Sequence, residues 1–99
     1  MSEAATSPVI KIARLTGKPG QNQALREALS SLEAATRQEP GCVAFTLFQA
    51  ITDADSFVLL EHFRDKQALE QHMQLPHTRE FFAKQLIAAV NAVDVPSIG

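Results

Sequence analysis

Glu61, His62, His72 and His77 crowd into one stretch, Phe57 to His77, which reads FVLLEHFRDKQALEQHMQLPH. A carboxylate and imidazoles are the groups that hold and move protons near neutral pH. The run FVLL is rich in branched and aromatic residues and predicts a strand ending on Glu61 and His62. Glu61 shares strand parity with Phe57 and Leu59. If that face packs on helices, burial raises the carboxyl pKa and makes Glu61 a candidate base. The competing reading is a solvated carboxylate paired with Arg64 or Lys66. Asp65 is a candidate N-cap, and Ala68, Leu69, His72 and Met73 then recur at helical spacing. His72 therefore sits on an apolar helix face, where a packed, hydrogen-bonded histidine competes with a catalytic one. Pro76 breaks the helix and His77 follows it, as a helix-start residue or a ligand contact. Glu61 and His72 are the catalytic candidates; Phe57, Leu59, Met73, His77 and Phe82 are the candidate substrate wall. His62 has the opposite parity and faces the other side of the sheet.

Metal chemistry has little support in this spacing. His72 and His77 are five apart across a proline, unlike the i, i+4 pair of a zinc helix. No cysteine pair or acidic cluster adds ligands. Cys42 is the only cysteine. It follows Pro-Gly at a strand start and reads as a small buried residue, and no intrachain disulfide is available.

The elements that position these groups follow from local pattern. Residues 9–16, VIKIARLT, are strand-like, with Ile10 and Ile12 on one face and Val9, Ala13 and Leu15 on the other. Gly17, Pro19 and Gly20 make a turn. A helix is predicted over 21–38, with Leu25, Ala28, Leu29, Leu32 and Ala35 as its apolar stripe, and Pro40-Gly41 stops it. Residues 42–51 form a second strand, 52–55 a polar turn, and 57–63 a third strand in a hairpin with the second. Helices are predicted over 65–75 and from 77 to about 90, and AVDVPSI makes a short last strand. The order βαββαβ predicts an α+β, ferredoxin-like domain with a four-stranded antiparallel sheet over residues 8–99, after a flexible tail at 1–7.

Strands two and three are apolar on both faces: Val43, Phe45 and Leu47 against Cys42, Ala44 and Phe48, then Phe57, Leu59 and Phe63 against Val58 and Leu60. Helices cover one face of such a sheet. The other face predicts a partner, most simply a second copy in a two-fold homodimer.

Composition narrows the classes. A net charge of −2 with no basic stripe argues against nucleic acid. No apolar run approaches a membrane span, and the polar start MSEAATS lacks the order of a secretory signal, so cytoplasm is the expected compartment.

The pieces ARLTGKPGQ (Ala13 to Gln21), QEPGC (Gln38 to Cys42) and the stretch Phe57 to His77 occur in an order that resembles the antibiotic biosynthesis monooxygenase family, in particular its small YgiN-like quinol monooxygenase branch. The resemblance implies sheet-to-sheet dimers forming an α/β barrel. It also implies oxidation of a quinol or similar aromatic by O2 with no metal, flavin or haem cofactor. Other relatives isomerise a phosphorylated sugar, so an isomerase of a small carbonyl compound is an alternative, as is a non-catalytic ligand-binding or stress-associated barrel. A phosphorylated substrate would need a cavity-facing cation such as Lys11 or Arg14. Haem-degrading relatives carry Asn, His and Trp where this chain has Ala13, His72 and Phe82, which argues against haem. Leu60 and Phe63 stand where aromatic-oxidising relatives often carry Tyr or Trp.

Overall fold

The computed structural model describes residues 7–96, so nearly all of the tail expected at 1–7 lies outside the described residues. The elements are β1 (Val9–Gly17), α1 (Asn22–Thr36), β2 (Cys42–Gln49), β3 (Ser56–Phe63), α2 (Lys66–Gln74), α3 (Pro76–Ala83) and β4 (Ile87–Asp94). The sheet order is β2-β3-β1-β4 with every neighbouring pair antiparallel. This is the expected ferredoxin-like arrangement, with the second helical region in two pieces.

Local chemistry explains the boundaries. Lys18 C=O accepts from Gln21 N–H at 3.0 Å across Pro19-Gly20, and Gly20 has φ 77°, the left-handed conformation that glycine adopts without strain. Asp65 caps α2 through a bond from Ala68 N–H to its carboxylate at 2.8 Å. Leu75, at φ −72° and ψ 149°, breaks the helical path, and Pro76 opens α3 where its missing N–H is not needed.

The core lies between one sheet face and the helices. Ala13, Leu15, Phe45, Phe57, Leu59 and Phe63 pack there against Leu25, Leu29 and Leu32 of α1, Ala68 of α2 and Phe81 of α3. The opposite face is aligned by the cross-strand register. Thr46, Leu60, Ile12 and Val93 form one row across all four strands, and Phe48, Val58, Arg14 and Asn91 form the next.

Two sequence expectations are corrected. The helix predicted from 77 to about 90 ends at Ala83. Gln85 takes φ 53°, and Ile87–Asp94 is a full edge strand, so Leu86, Ala89 and Val90 are not a helix face. The expected parity of β2 also fails at its start. The register shifts between Cys42 and Ala44, leaving Val43 as the extra residue of a bulge. Cys42 thereby joins the core side with Phe45, and Val43 is exposed.

The turn before β2 is tightly packed. Gly41 C=O accepts from Arg64 N–H at 2.8 Å, and a Cβ on Gly41 would meet the Ala68 Cβ at 2.4 Å. Gly41→Ala must therefore push α2 off the turn. The expected loss is about 1–3 kcal/mol, typical of overpacking. It is read as a fall in urea midpoint, and an unchanged midpoint would show that α2 moves freely.

Candidate active site

A cavity of about 330 Å³ opens between the sheet and the last two helices. Its floor comes from adjacent strands: Leu59 and Glu61 of β3, Lys11, Ala13 and Leu15 of β1, and Val90 and Ala92 of β4. Leu69, His72 and Met73 of α2, with Phe81 and Phe82 of α3, form the roof. Met73, Phe82 and Val90 are exposed and make an apolar rim. A cavity of ~150 Å³ suffices for benzene, so this one has room for a one- or two-ring aromatic.

The strand register puts Phe45, Glu61, Lys11 and Asp94 in one row on the helix side of the sheet. Lys11 Nζ donates to Asp94 Oδ1 at 2.6 Å. Burial pushes the Glu61 carboxyl above the ordinary carboxylate range, and Lys11 opposes this with a smaller effect. Arg64, once a possible partner of Glu61, lies 3.6 Å from Asp65 instead.

His72 is almost wholly enclosed, at 3% exposure. Its ring packs against both Phe45 and Phe63, with centroid distances of 5.6 and 4.9 Å, and those two rings meet edge-on at 6.3 Å. Its Nδ1 sits 2.8 Å from Glu39 Oε2 and 3.4 Å from Thr78 Oγ1. Glu39 Oε2 also lies 2.5 Å from His77 Nε2. One carboxylate oxygen thus faces a ring nitrogen of each histidine.

Glu61, His72, Leu59, Met73 and Phe82 thus come together around one cavity. Phe57 and His77 do not. Phe57 is fully buried in the core, paired with Leu15 across the sheet, and does not reach the cavity. His77 turns toward Glu39 and lines a separate, open hollow with Glu27, Glu80 and Lys84. Arg14 lies on the far face of the sheet beside Val58, whereas Lys11 does line the cavity.

Glu39 is the residue that sequence reasoning missed. It lies in the turn after α1, held by Glu39 N–H to Thr36 C=O at 3.0 Å and by Cys42 N–H to Glu39 C=O at 3.1 Å. Its side chain is only 8% exposed. Burial, and then the Glu39 charge, push the Cys42 thiol up, against a smaller opposing effect of Arg37. Among the described residues, donor atoms of Glu39, His72 and His77 lie within 4.8 Å of one another. Folding thus adds a carboxylate oxygen to two histidines whose spacing in the sequence is unlike a zinc helix.

Comparison with known proteins gives this geometry a family. The family model described as antibiotic biosynthesis monooxygenase matches residues 8–84. The chain belongs to the antibiotic biosynthesis monooxygenase family. It is 37% identical over 79 residues to "Putative monooxygenase Rv0793" of Mycobacterium tuberculosis, covering 80% of this chain and 77% of that protein. The crystal structure of PA3566 from Pseudomonas aeruginosa superposes with a TM-score of 0.88 at 31% identity, over 96% of this chain and 98% of that one. A crystal structure of an antibiotic biosynthesis monooxygenase superposes with a TM-score of 0.84 at 26% identity, over 92% and 99%. In this family member the matched region carries Glu39, Glu61, His72 and His77. β4 lies beyond it.

Proposed function

We propose that this protein is a monooxygenase that oxidises a quinol or similar electron-rich aromatic with O2. The observation that carries the reading is the wall of the cavity, where Glu61 and His72 are the proton-handling groups in largely apolar surroundings. Such a cavity holds a flat ring and excludes water. Glu61, whose proton affinity burial raises, takes the substrate hydroxyl proton. The quinolate passes one electron to O2, and the resulting radical pair recombines as a ring hydroperoxide. Loss of water then leaves a hydroxyquinone. One oxygen atom enters the ring, the other leaves as water, and the substrate supplies all the electrons. His72, with Nδ1 held by Glu39, presents Nε2 to orient the hydroxyl.

Lys11 in the cavity wall favours a second reading, an isomerase acting on a small phosphorylated carbonyl compound. It ranks lower because Asp94 and Glu61 already compensate that cation.

The decisive experiment is oxygen uptake across a panel of hydroquinones, with and without chelator. Uptake that survives chelation, with hydroxyquinone as product, is the expected result. No uptake across the panel, with turnover of a phosphorylated ketose instead, would replace the first reading with the second.

A further inference from the structure

The cavity carries its polar groups at one end and apolar side chains at the other. Glu61 and Lys11 stand side by side in one cross-strand row. His72 packs on Phe45 of that same row, with ring centroids 5.6 Å apart. The next row on the helix side is Leu59, Ala13 and Ala92, and the one after pairs Leu15 with Val90. From Lys11 to Leu15 the floor runs four residues, about 13 Å of strand. Past the first row every floor residue is apolar.

At this apolar end the cavity adjoins a second hollow of about 370 Å³. The two share Phe81, Phe82, Ile87 and Val90. The turn after α3 builds the second hollow. Gln85, at φ 53°, sends the chain from α3 into β4, and Leu86 C=O accepts from Lys18 N–H at 3.0 Å. Leu86, Ala88 and Ala89 line it, and only Lys18 and Gln85 add polar side chains. Phe82 and Val90, on the shared wall, are 52% and 61% exposed. Large apolar side chains left in water between two apolar hollows mark a binding surface. Both lie on the helix side of the sheet, so a second copy on the opposite face does not cover them.

We propose that the two hollows hold one substrate, an aromatic diol that bears a hydrocarbon side chain. The ring lies in the cavity with a hydroxyl at Glu61, and the chain crosses Phe82 and Val90 into the second hollow. The proposal rests on the reading of the cavity as the place where a quinol hydroxyl meets Glu61. A ring anchored there turns its opposite edge toward Leu15 and Val90. A substituent on that edge leaves over the shared wall, which is apolar throughout. A hydroxylated or charged side chain would lose water on that wall and gain no partner, so the chain is a hydrocarbon. The chain also covers the mouth of the cavity, which keeps water from the ring while its proton moves.

Titration calorimetry under nitrogen, where no oxidation occurs, tests the chain site with methyl-, butyl- and hexylhydroquinone. Affinity is expected to rise about threefold for each methylene buried, the gain from removing that surface from water. Ala88→Glu places a charge at an exposed position of the second hollow, outside the cavity. Phe82→Ser strips the shared wall. In each variant the ratio of hexyl to methyl affinity should fall roughly tenfold, the equivalent of about two methylenes. The ratio cancels any general loss of binding, and amide spectra establish that each variant is folded. Equal affinity for all three hydroquinones overturns the chain site and leaves the ring reading intact. A ratio unchanged in both variants overturns it too, by placing the chain elsewhere. Hexanol binding as tightly as hexylhydroquinone overturns it by showing that no ring is needed. Failure of every hydroquinone to bind overturns the quinol reading together with it. Chain-dependent binding without oxygen uptake supports the chain site and sinks only the oxidation.

Discussion

Glu61→Gln is expected to lower quinol turnover roughly a hundredfold, the usual loss when general acid–base help is removed. The same variant should be more stable than wild type at neutral pH. Burial raises the folded carboxyl above its unfolded value, with Lys11 opposing. The group's stabilising contribution is therefore complete below the unfolded carboxylate range and is lost as pH rises through the folded value. Gln has no such loss. The melting temperature of Glu61→Gln should match wild type near pH 4 and exceed it near pH 8. A gain of ~4 °C would correspond to about 1 kcal/mol in a domain this small. Equal differences at both pH values would show that Glu61 ionises as it does in water. His72→Ala should cost turnover comparably but also cost stability, since Glu39 loses a hydrogen-bond partner and Phe45 and Phe63 each lose a packed ring. His62→Ala, on the far face beside Ile10 and Ala44, should leave turnover unchanged.

Leu60→Asp is expected to give monomers. We propose that a second copy covers the far face of the sheet. Phe48, Ile12 and Val93 stand 52%, 38% and 52% exposed there, and Leu60 lies in the middle row between Thr46 and Ile12. Monomeric proteins rarely leave so contiguous an apolar patch in water, and a two-fold pairing of identical faces is the simplest cover. An unpaired carboxylate at the centre of such an interface costs several kcal/mol. Sedimentation at micromolar concentration should give dimer for wild type and monomer for Leu60→Asp. A wild-type monomer overturns the pairing.

The βαββαβ element order and the placing of Glu61 on a strand and His72 on the following helix were legible because period and punctuation agree in this chain. The FVLL run, the Asp65 cap and Pro76 each carry a local physical signal that the fold obeys. Beyond Ala83 the signals mislead. FFAKQLIAAV has helical spacing and good helix formers, no glycine or proline marks the break, and Gln85 supplies the positive φ itself. β4 then hides as a strand because it is an edge: seven of its eight residues are exposed and its alternation is faint. The Val43 bulge is a register event between two strands, which neither strand's sequence announces. Glu39 was invisible for a related reason. QEPGC reads as a helix stop, and its carboxylate meets histidines 33 and 38 residues away only after the chain has closed.

The pairing of β1 with β4 also bears on the order in which the protein matures. β4 is the last of the four strands to be synthesised, yet its partner β1 is the first. Contacts between distant segments form late, because their loop-closure entropy is lost before they are rewarded. The β2-β3-β1 sheet with α1 and α2 carries nearly all of the buried core, whereas β4 contributes Val90 and Ala92 to the cavity floor and Asp94 to the Lys11 pair. A nascent chain can therefore bury its core while the cavity still lacks one wall. Until β4 docks, the open edge of β1 remains available to strands of other chains. The docking that completes the cavity also closes that edge, so crowding at this step would cost active protein through aggregation rather than through unfolding.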